Sequence, residues 1–320
     1  MRNGTGPLLV RVYGEFYFPK PNDWINSNGI RLIREDRFHE NLSKHDDEND
    51  EIKELFENSS SYFNKLFWAE EIKSKCNKPS NLIDLFNNIK YHFVNQHFLG
   101  NFKDYPINPI NNNFGYIGGI TFESKGILTK QVKTKKDENE SSCVVLVTFG
   151  TAILPFRRHQ QYRNAMFTVF EHFGNCIFKV RIRTDKISYN NIEITNEKLP
   201  QQDILAKENT KLLISHCGQN SLNEAMYAGV PLICIPDGGD QFYNASLVEH
   251  LGIGIYIKVN YEVQLDHNAF GYSLAEGIFN ILNKNSNYRK NAQILRENIL
   301  KTNFSMKEFF LQKIAESISD

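Results

Sequence analysis

No stretch of 18 uncharged apolar residues occurs anywhere in the 320 residues, so no segment reads as a membrane-spanning helix. The first twenty residues carry charges and proline and lack a long apolar run, so they do not read as a signal peptide. An excess of one charge is missing too. Lys plus Arg total 37 and Asp plus Glu total 37, a formal net charge of zero at pH 7. No overall field invites nucleic acid or an anionic membrane surface. Cysteine is sparse, five residues in all. Cys76, Cys143, Cys176, Cys217 and Cys234 are odd in number and lack the spacing of a disulfide scaffold. Four of them fall in or beside expected core strands, which makes buried free thiols the expectation. No Asp-x-Asp is present to hold a divalent ion under a diphosphate, and no internal repeat is evident.

What is there is length enough for two domains with cores of their own. The second half is the more regular. Continuous apolar runs at 143–149, 176–182, 192–194, 211–215, 230–235 and 254–257 read as buried parallel strands. Helical spacing appears at 157–173, with Tyr162, Ala165, Met166 and Val169 facing in, and again at 220–228, 240–251, 268–282, 288–301 and 306–318. Strands alternating with helices at this spacing predict an α/β fold built on a doubly wound parallel sheet. The first half is less regular. Residues 8–18 alternate weakly, as a strand pair would, and 39–52 form a charged, exposed run. From Glu54 the spacing turns helical, through Leu55, Phe56, Phe63, Leu66 and Phe67. Residues 91–98 read as a strand and 105–113 as loop. Residues 130–142, charged and without periodicity, read as a linker. The division is therefore 1–129, linker 130–142, and 143–320.

Residues 199–241 concentrate the chemistry. His216-Cys217-Gly218-Gln219-Asn220-Ser221 follows one strand and opens the helix at 220–228, with Ser221 or Asn220 as its cap. In open α/β sheets, ligands bind where strand carboxyl ends meet helix amino ends. Such a helix start offers unpaired N–H groups and partial positive charge, which suit a phosphate. Gly218 has no Cβ to obstruct a close approach. Glu224, four residues after Asn220 and three after Ser221, shares their helix face. A carboxylate one turn beyond a phosphate, about 5 to 6 Å on, accepts hydrogen bonds from a pair of neighbouring hydroxyls such as a ribose presents. A phosphate site followed by a diol acceptor describes a nucleotide site.

The same segment resembles the donor-binding signature of the UDP-glycosyltransferases. It matches in the order Leu199-Pro200-Gln201, His-Cys-Gly-x-Asn-Ser, Glu224 and Asp240-Gln241. Upstream, Ile117-Gly118-Gly119 resembles the sequence that ends the family's amino-terminal domain. The resemblance implies a GT-B type fold of two Rossmann-like domains, the carboxy-terminal one complete and the amino-terminal one shortened or divergent. It assigns Gln201 to the uracil edge, and Thr151, His216, Gly218, Asn220 and Ser221 to the diphosphate. Glu224 falls to the ribose, Asp240 and Gln241 to the sugar hydroxyls. The family's stacking Trp before Leu199 is replaced here by Lys198.

By that resemblance the chemistry is inverting glycosyl transfer without a metal or cofactor. The UDP-sugar is co-substrate and a small lipophilic hydroxyl compound the acceptor. The family's base, a His after the first strand of the amino-terminal domain, has no counterpart here. His39 and His45 lie in the charged run, and His92 and His97 flank a strand. Three readings stand. The first is an active hexosyl or glucuronosyl transferase. The second is a UDP-sugar-binding module that is catalytically silent alone, a truncated or degenerate paralogue or one completed by a partner chain or a second copy, and the third an unrelated Rossmann-like binder. The family's usual anchoring in the endoplasmic reticulum membrane has no matching segment here, which leaves localisation open.

Overall fold

A computed structural model of the chain describes residues 21–27, 30–33, 89–102, 114–150, 160–182, 189–259, 266–302 and 305–319, with isolated positions at 54, 58, 61, 65, 74 and 75. The expected strand pair at 8–18, the charged run at 39–52, most of the helical stretch from Glu54, and Thr151, His39, His45 and Cys76 lie outside these residues.

Two short pairs come first. Strands β1 (Trp24–Ser27) and β2 (Ile30–Ile33) run antiparallel. Strands β3 (His92–Val94) and β4 (Phe114–Tyr116) run parallel and lead into helix α1 (Ile120–Lys125). Where 91–98 reads as one strand, only three residues pair. From Asn95 the chain turns, with the Gln96 amide donating to the Val94 carbonyl.

The main sheet is built by β5 (Val144–Thr148), α2 (Gln160–His172), β6 (Ile177–Arg181), β7 (Ile192–Thr195), α3 (Gln201–Ala206), β8 (Thr210–Ser215), α4 (Gln219–Ala228), β9 (Leu232–Cys234), α5 (Gln241–His250) and β10 (Gly254–Tyr256). Helices α6 (Asp266–Leu282), α7 (Asn287–Lys301) and α8 (Met306–Ser319) follow. The six strands are all parallel, in the order β10-β9-β8-β5-β6-β7. The chain moves one way from β5 and the other way from β8, so the crevice between their carboxyl ends is the switch point of the topology. Alternation along the strands splits the core into two layers. Val145, Val147, Phe178, Val180, Leu212 and Ile214 join the layer beneath α2 and α6, where the Tyr162 and Phe270 rings meet at 5.3 Å. Val144, Leu146, Leu213 and Leu232 join the layer beneath α4 and α5. Of the residues expected to face in from α2, Tyr162, Met166 and Val169 are buried and Ala165 packs partly buried against them. Among the described residues no helix is long and apolar enough to cross a membrane.

Four cysteines are not free thiols. Cys143 pairs with Cys176, with an S–S distance of 2.00 Å, and Cys217 with Cys234, at 2.29 Å. Lateral register is the reason, and linear spacing carries no trace of it. Val144 lies opposite Ile177, so the residues just before them are neighbours across β5 and β6. Ser215 lies opposite Cys234, and Cys217 turns back toward it with φ 66°.

The segment at 130–142 runs against α3. Thr134 bridges to Lys207, whose ammonium pairs with Asp137 at 2.8 Å and Glu140 at 2.9 Å. The last helix returns to the first half of the chain. The Glu123 carboxylate of α1 accepts from the amides of Met306 and Lys307 at 2.9 and 3.2 Å and from the Ser305 hydroxyl at 3.2 Å. It thereby satisfies donors that a helix start leaves without partners. Further along α8, Phe310 packs edge-on against Phe93 at 4.7 Å, and the Tyr91 hydroxyl donates to Glu316.

Candidate nucleotide-sugar site

At the switch point, β5 ends in Thr148-Phe149-Gly150 and β8 runs into His216. The His216 imidazole fills the gap between them. A Cβ on Gly150 would lie 2.8 Å from its Cε1, and a Cβ on Gly218 would lie 2.6 Å from its Nε2. Both glycines thus clear a slot for one ring. Gly150 also holds φ 73°, a left-handed conformation that glycine adopts without cost. Arg181 secures this turn by donating to the Gly150 carbonyl at 2.7 Å. Burial lowers the pKa of His216, against the opposing pull of Asp240 and Asp237, so the ring is neutral near pH 7.

Helix α4 starts at Gln219, a residue earlier than its sequence suggests. Gly218 stands at the cap position without a side-chain bond, and Asn220 and Ser221, the expected caps, lie inside the first turn. The capping is done from elsewhere. The Gln219 amide donates to the Asp240 carboxylate at 3.2 Å, and Asn244 donates to the same oxygen at 3.1 Å. A carboxylate at a helix start is favourable both as acceptor and against the dipole.

One turn on, Glu224 is half-buried and clasped by two amides. Gln201 donates to one carboxylate oxygen and Gln202 to the other at 2.9 Å, while Gln201 also reaches the Ser221 hydroxyl at 3.3 Å. Burial raises the pKa of Glu224, with the two amides and the charges of Lys125 and Lys198 pulling it back. Helix α3 makes the clasp possible. It runs only six residues, from Gln201 to Ala206, and turns its first two side chains toward α4 while Ile204 and Leu205 anchor it in the core.

Gln201, Ser221 and Glu224 therefore form one group, and His216, Gly218 and Asp240 a second beside it. Asn220, at the exposed start of α4, accepts from Asn95 at 2.8 Å. Gln241 is turned back on its own loop, its carbonyl oxygen accepting from the amides of Asp237 and Gly238 at 2.8 and 3.3 Å.

The model of the family described as UDP-glucoronosyl and UDP-glucosyl transferase matches residues 48–297, more than half of the chain. The chain belongs to this family.

Among curated relatives, UDP glycosyltransferase 9 of Catharanthus roseus is 34% identical over 133 residues, covering 37% of this chain and 27% of that protein. UDP-glucuronosyltransferase 1A9 of Mus musculus is 26% identical over 206 residues, covering 62% of this chain and 36% of that protein. The chain thus spans about a quarter to a third of the length of the relatives it matches. Among solved structures, the glycotransferase of kitacinnamycin superposes with a TM-score of 0.60 at 16% identity, covering 84% of this chain and 66% of that one. An Os79 variant from O. sativa, solved in complex with UDP, superposes with a TM-score of 0.54 at 20% identity, covering 70% and 54%. These likenesses are of fold, the GT-B type of the glycosyltransferases.

Within this family member, several residues at the site escape sequence reasoning. Gln202 carried a signal, since two consecutive amides at a helix start can both reach a neighbouring helix. Asn223, buried on α4 against the chain's first half, and Asn95, which it contacts, carried none. His97, which follows β3, is a core residue, fully buried, stacked on Phe98 and set edge-on to Tyr227. His92 opens β3, opposite Phe114 of β4.

Proposed function

We propose that this chain binds a UDP-sugar in the switch-point crevice and belongs to an inverting, metal-independent transferase that delivers a hexose or glucuronosyl group to a hydroxyl of a small lipophilic acceptor. In this reading residues 143–320 hold the donor, 1–129 form the acceptor side and 130–142 join them. The observation that carries the reading is the Glu224 clasp. A half-buried carboxylate fixed by Gln201 and Gln202, one helical turn beyond the His216 slot, suits a ribose diol next to a diphosphate. An amide such as Gln201 can pair with a uracil edge by donating and accepting together. His216, neutral and held in its slot between Gly150 and Gly218, donates one N–H to a diphosphate oxygen. The Asp240 oxygen that meets no donor among the described residues accepts from a sugar hydroxyl. With no Asp-x-Asp in the sequence, donors of this kind would stabilise the charge on departing UDP as the acceptor oxygen attacks the anomeric carbon in line.

A second reading, a donor-binding module silent on its own, follows from the position of His97. Among the described residues, the His97 imidazole of the first half is locked in the core and unsuited to take a proton from an acceptor.

Calorimetry with UDP, followed by a UDP-release assay with phenolic acceptors, separates the readings. Binding with release supports transfer; binding without release supports the silent module; no binding removes both. Glu224→Ala is expected to weaken UDP binding about ten- to hundredfold, the scale for losing hydrogen bonds to a charged group. An unchanged affinity would sink the ribose assignment.

A further inference from the structure

The start of α4 is met by a residue from the first half of the chain, and the contact has a direction. Asn95 follows β3, and its own backbone carbonyl accepts from Asn223 Nδ2 at 3.1 Å. A carbonyl can only accept, so the flip of the Asn223 amide is fixed. The same Nδ2 donates to Asn95 Oδ1 at 3.2 Å, and Gln219 Nε2 donates to Asn223 Oδ1 at 3.1 Å. With its Oδ1 committed, Asn95 must turn Nδ2 outward, where it donates to Asn220 Oδ1 at 2.8 Å. Each amide thus dictates the orientation of the next. The series ends with Asn220 Nδ2 as a donor that meets no acceptor among the described residues. Asn223 is 1% exposed, so the fixed end of the series is sealed from water that could satisfy a flipped amide.

We propose that Asn95 is a positioning residue for the donor. Acting through Asn220, it holds the carboxamide so that the N–H₂ group, and not the oxygen, faces the diphosphate. The inference rests on the donor-site reading above and adds to it a contribution from the chain's first half. Without Asn95, Asn220 presents oxygen or nitrogen with similar ease, and the oxygen repels a phosphate. The effect is confined to ligands that carry phosphate. Uridine, which has the base and ribose alone, does not sense it.

The test is calorimetry of the full chain with UDP and with uridine. Asn95→Asp keeps the acceptor for Asn223 but can no longer donate, so Asn220 must turn its nitrogen inward. UDP is expected to bind about tenfold more weakly, one charge-assisted hydrogen bond less, with uridine affinity within about twofold of the parent. Asn95→Ala, which adds no charge, is expected to cost UDP about threefold alone and nothing in an Asn220→Ala background, because the residue acts through Asn220. Equal losses for UDP and uridine would reduce Asn95 to a structural role, and unchanged UDP affinity would overturn the proposal. So would an Asn95→Ala cost that persists without Asn220. A parent chain that binds neither ligand removes the donor-site reading itself, and this inference with it.

Discussion

His216 and Glu224 are both ionisable groups whose surroundings favour the neutral form, yet they are held in opposite ways. The imidazole is confined by what is missing, the side chains of Gly150 and Gly218, whereas the carboxylate is confined by what is added, the amides of Gln201 and Gln202. Gly150→Ala tests the first arrangement. The substitution forces a left-handed alanine and drives its Cβ against the ring. It is expected to destabilise the fold by about 2 kcal/mol and to weaken UDP binding in the same variant, read by thermal melting and calorimetry. A variant as stable as the parent with unaltered UDP affinity would refute the slot. At this scale the motif residues were legible, because glycine, histidine and a carboxylate at fixed offsets carry a chemical reason for their spacing. What surrounds them was not. That Asp240 caps α4 depends on where the loop at 236–240 lies, and chain order is silent on that.

Among the elements, the strands of the main sheet and the helices from α4 onward were readable to within a few residues. β5 is buried along its whole length and β8 at all but Lys211, whereas β6 and β7 at the sheet's edge are buried only in part. The elements that sequence hid are short ones, α1, α3, β4 and the pair β1–β2, each too brief to show a period, while of the strand expected over 91–98 only His92–Val94 pairs. Short elements draw stability from what they touch, and α1 shows how. Glu123→Ala removes three hydrogen bonds at the start of α8 and is expected to cost about 1 to 2 kcal/mol, as loss of a helix cap does. Hydrogen exchange should then accelerate at Met306 and Lys307 while the strands of the main sheet keep their protection. Exchange unchanged at those two amides would mean that α8 is held by its contacts further along, the packing on Phe93 and the bond from Tyr91 to Glu316.

For the molecule as a whole, pH is a direct probe of how the first half is seated on the second. His97 is fully buried between Phe98 and Tyr227, and burial pushes its pKa down from 6.5 to about 4. The unfolded chain therefore binds the proton more readily. The contribution to stability is complete above pH 6.5 and is lost as pH falls toward about 4. It amounts to about 2 kcal/mol between neutral pH and pH 5. His216 acts in the same sense, while Glu224, whose pKa is raised, gains stability on acidification and offsets part of the loss. Urea unfolding of the parent and of His97→Phe at pH 7.5 and pH 5 should show a smaller acid loss in the variant; equal losses would place the titrating group elsewhere. The parallel sheet and its crevice could be read from sequence, because they arise from local pattern and a repeated crossover. The seating of His97 and Asn95 on α4 could not, since it joins residues more than a hundred positions apart. The return of α8 to α1 means that the chain passes between its two halves twice, once through 126–143 and once before Met306. Any separation of the halves must carry both crossings with it, and it must also break the buried contacts that Trp24 and Phe102 make with α5.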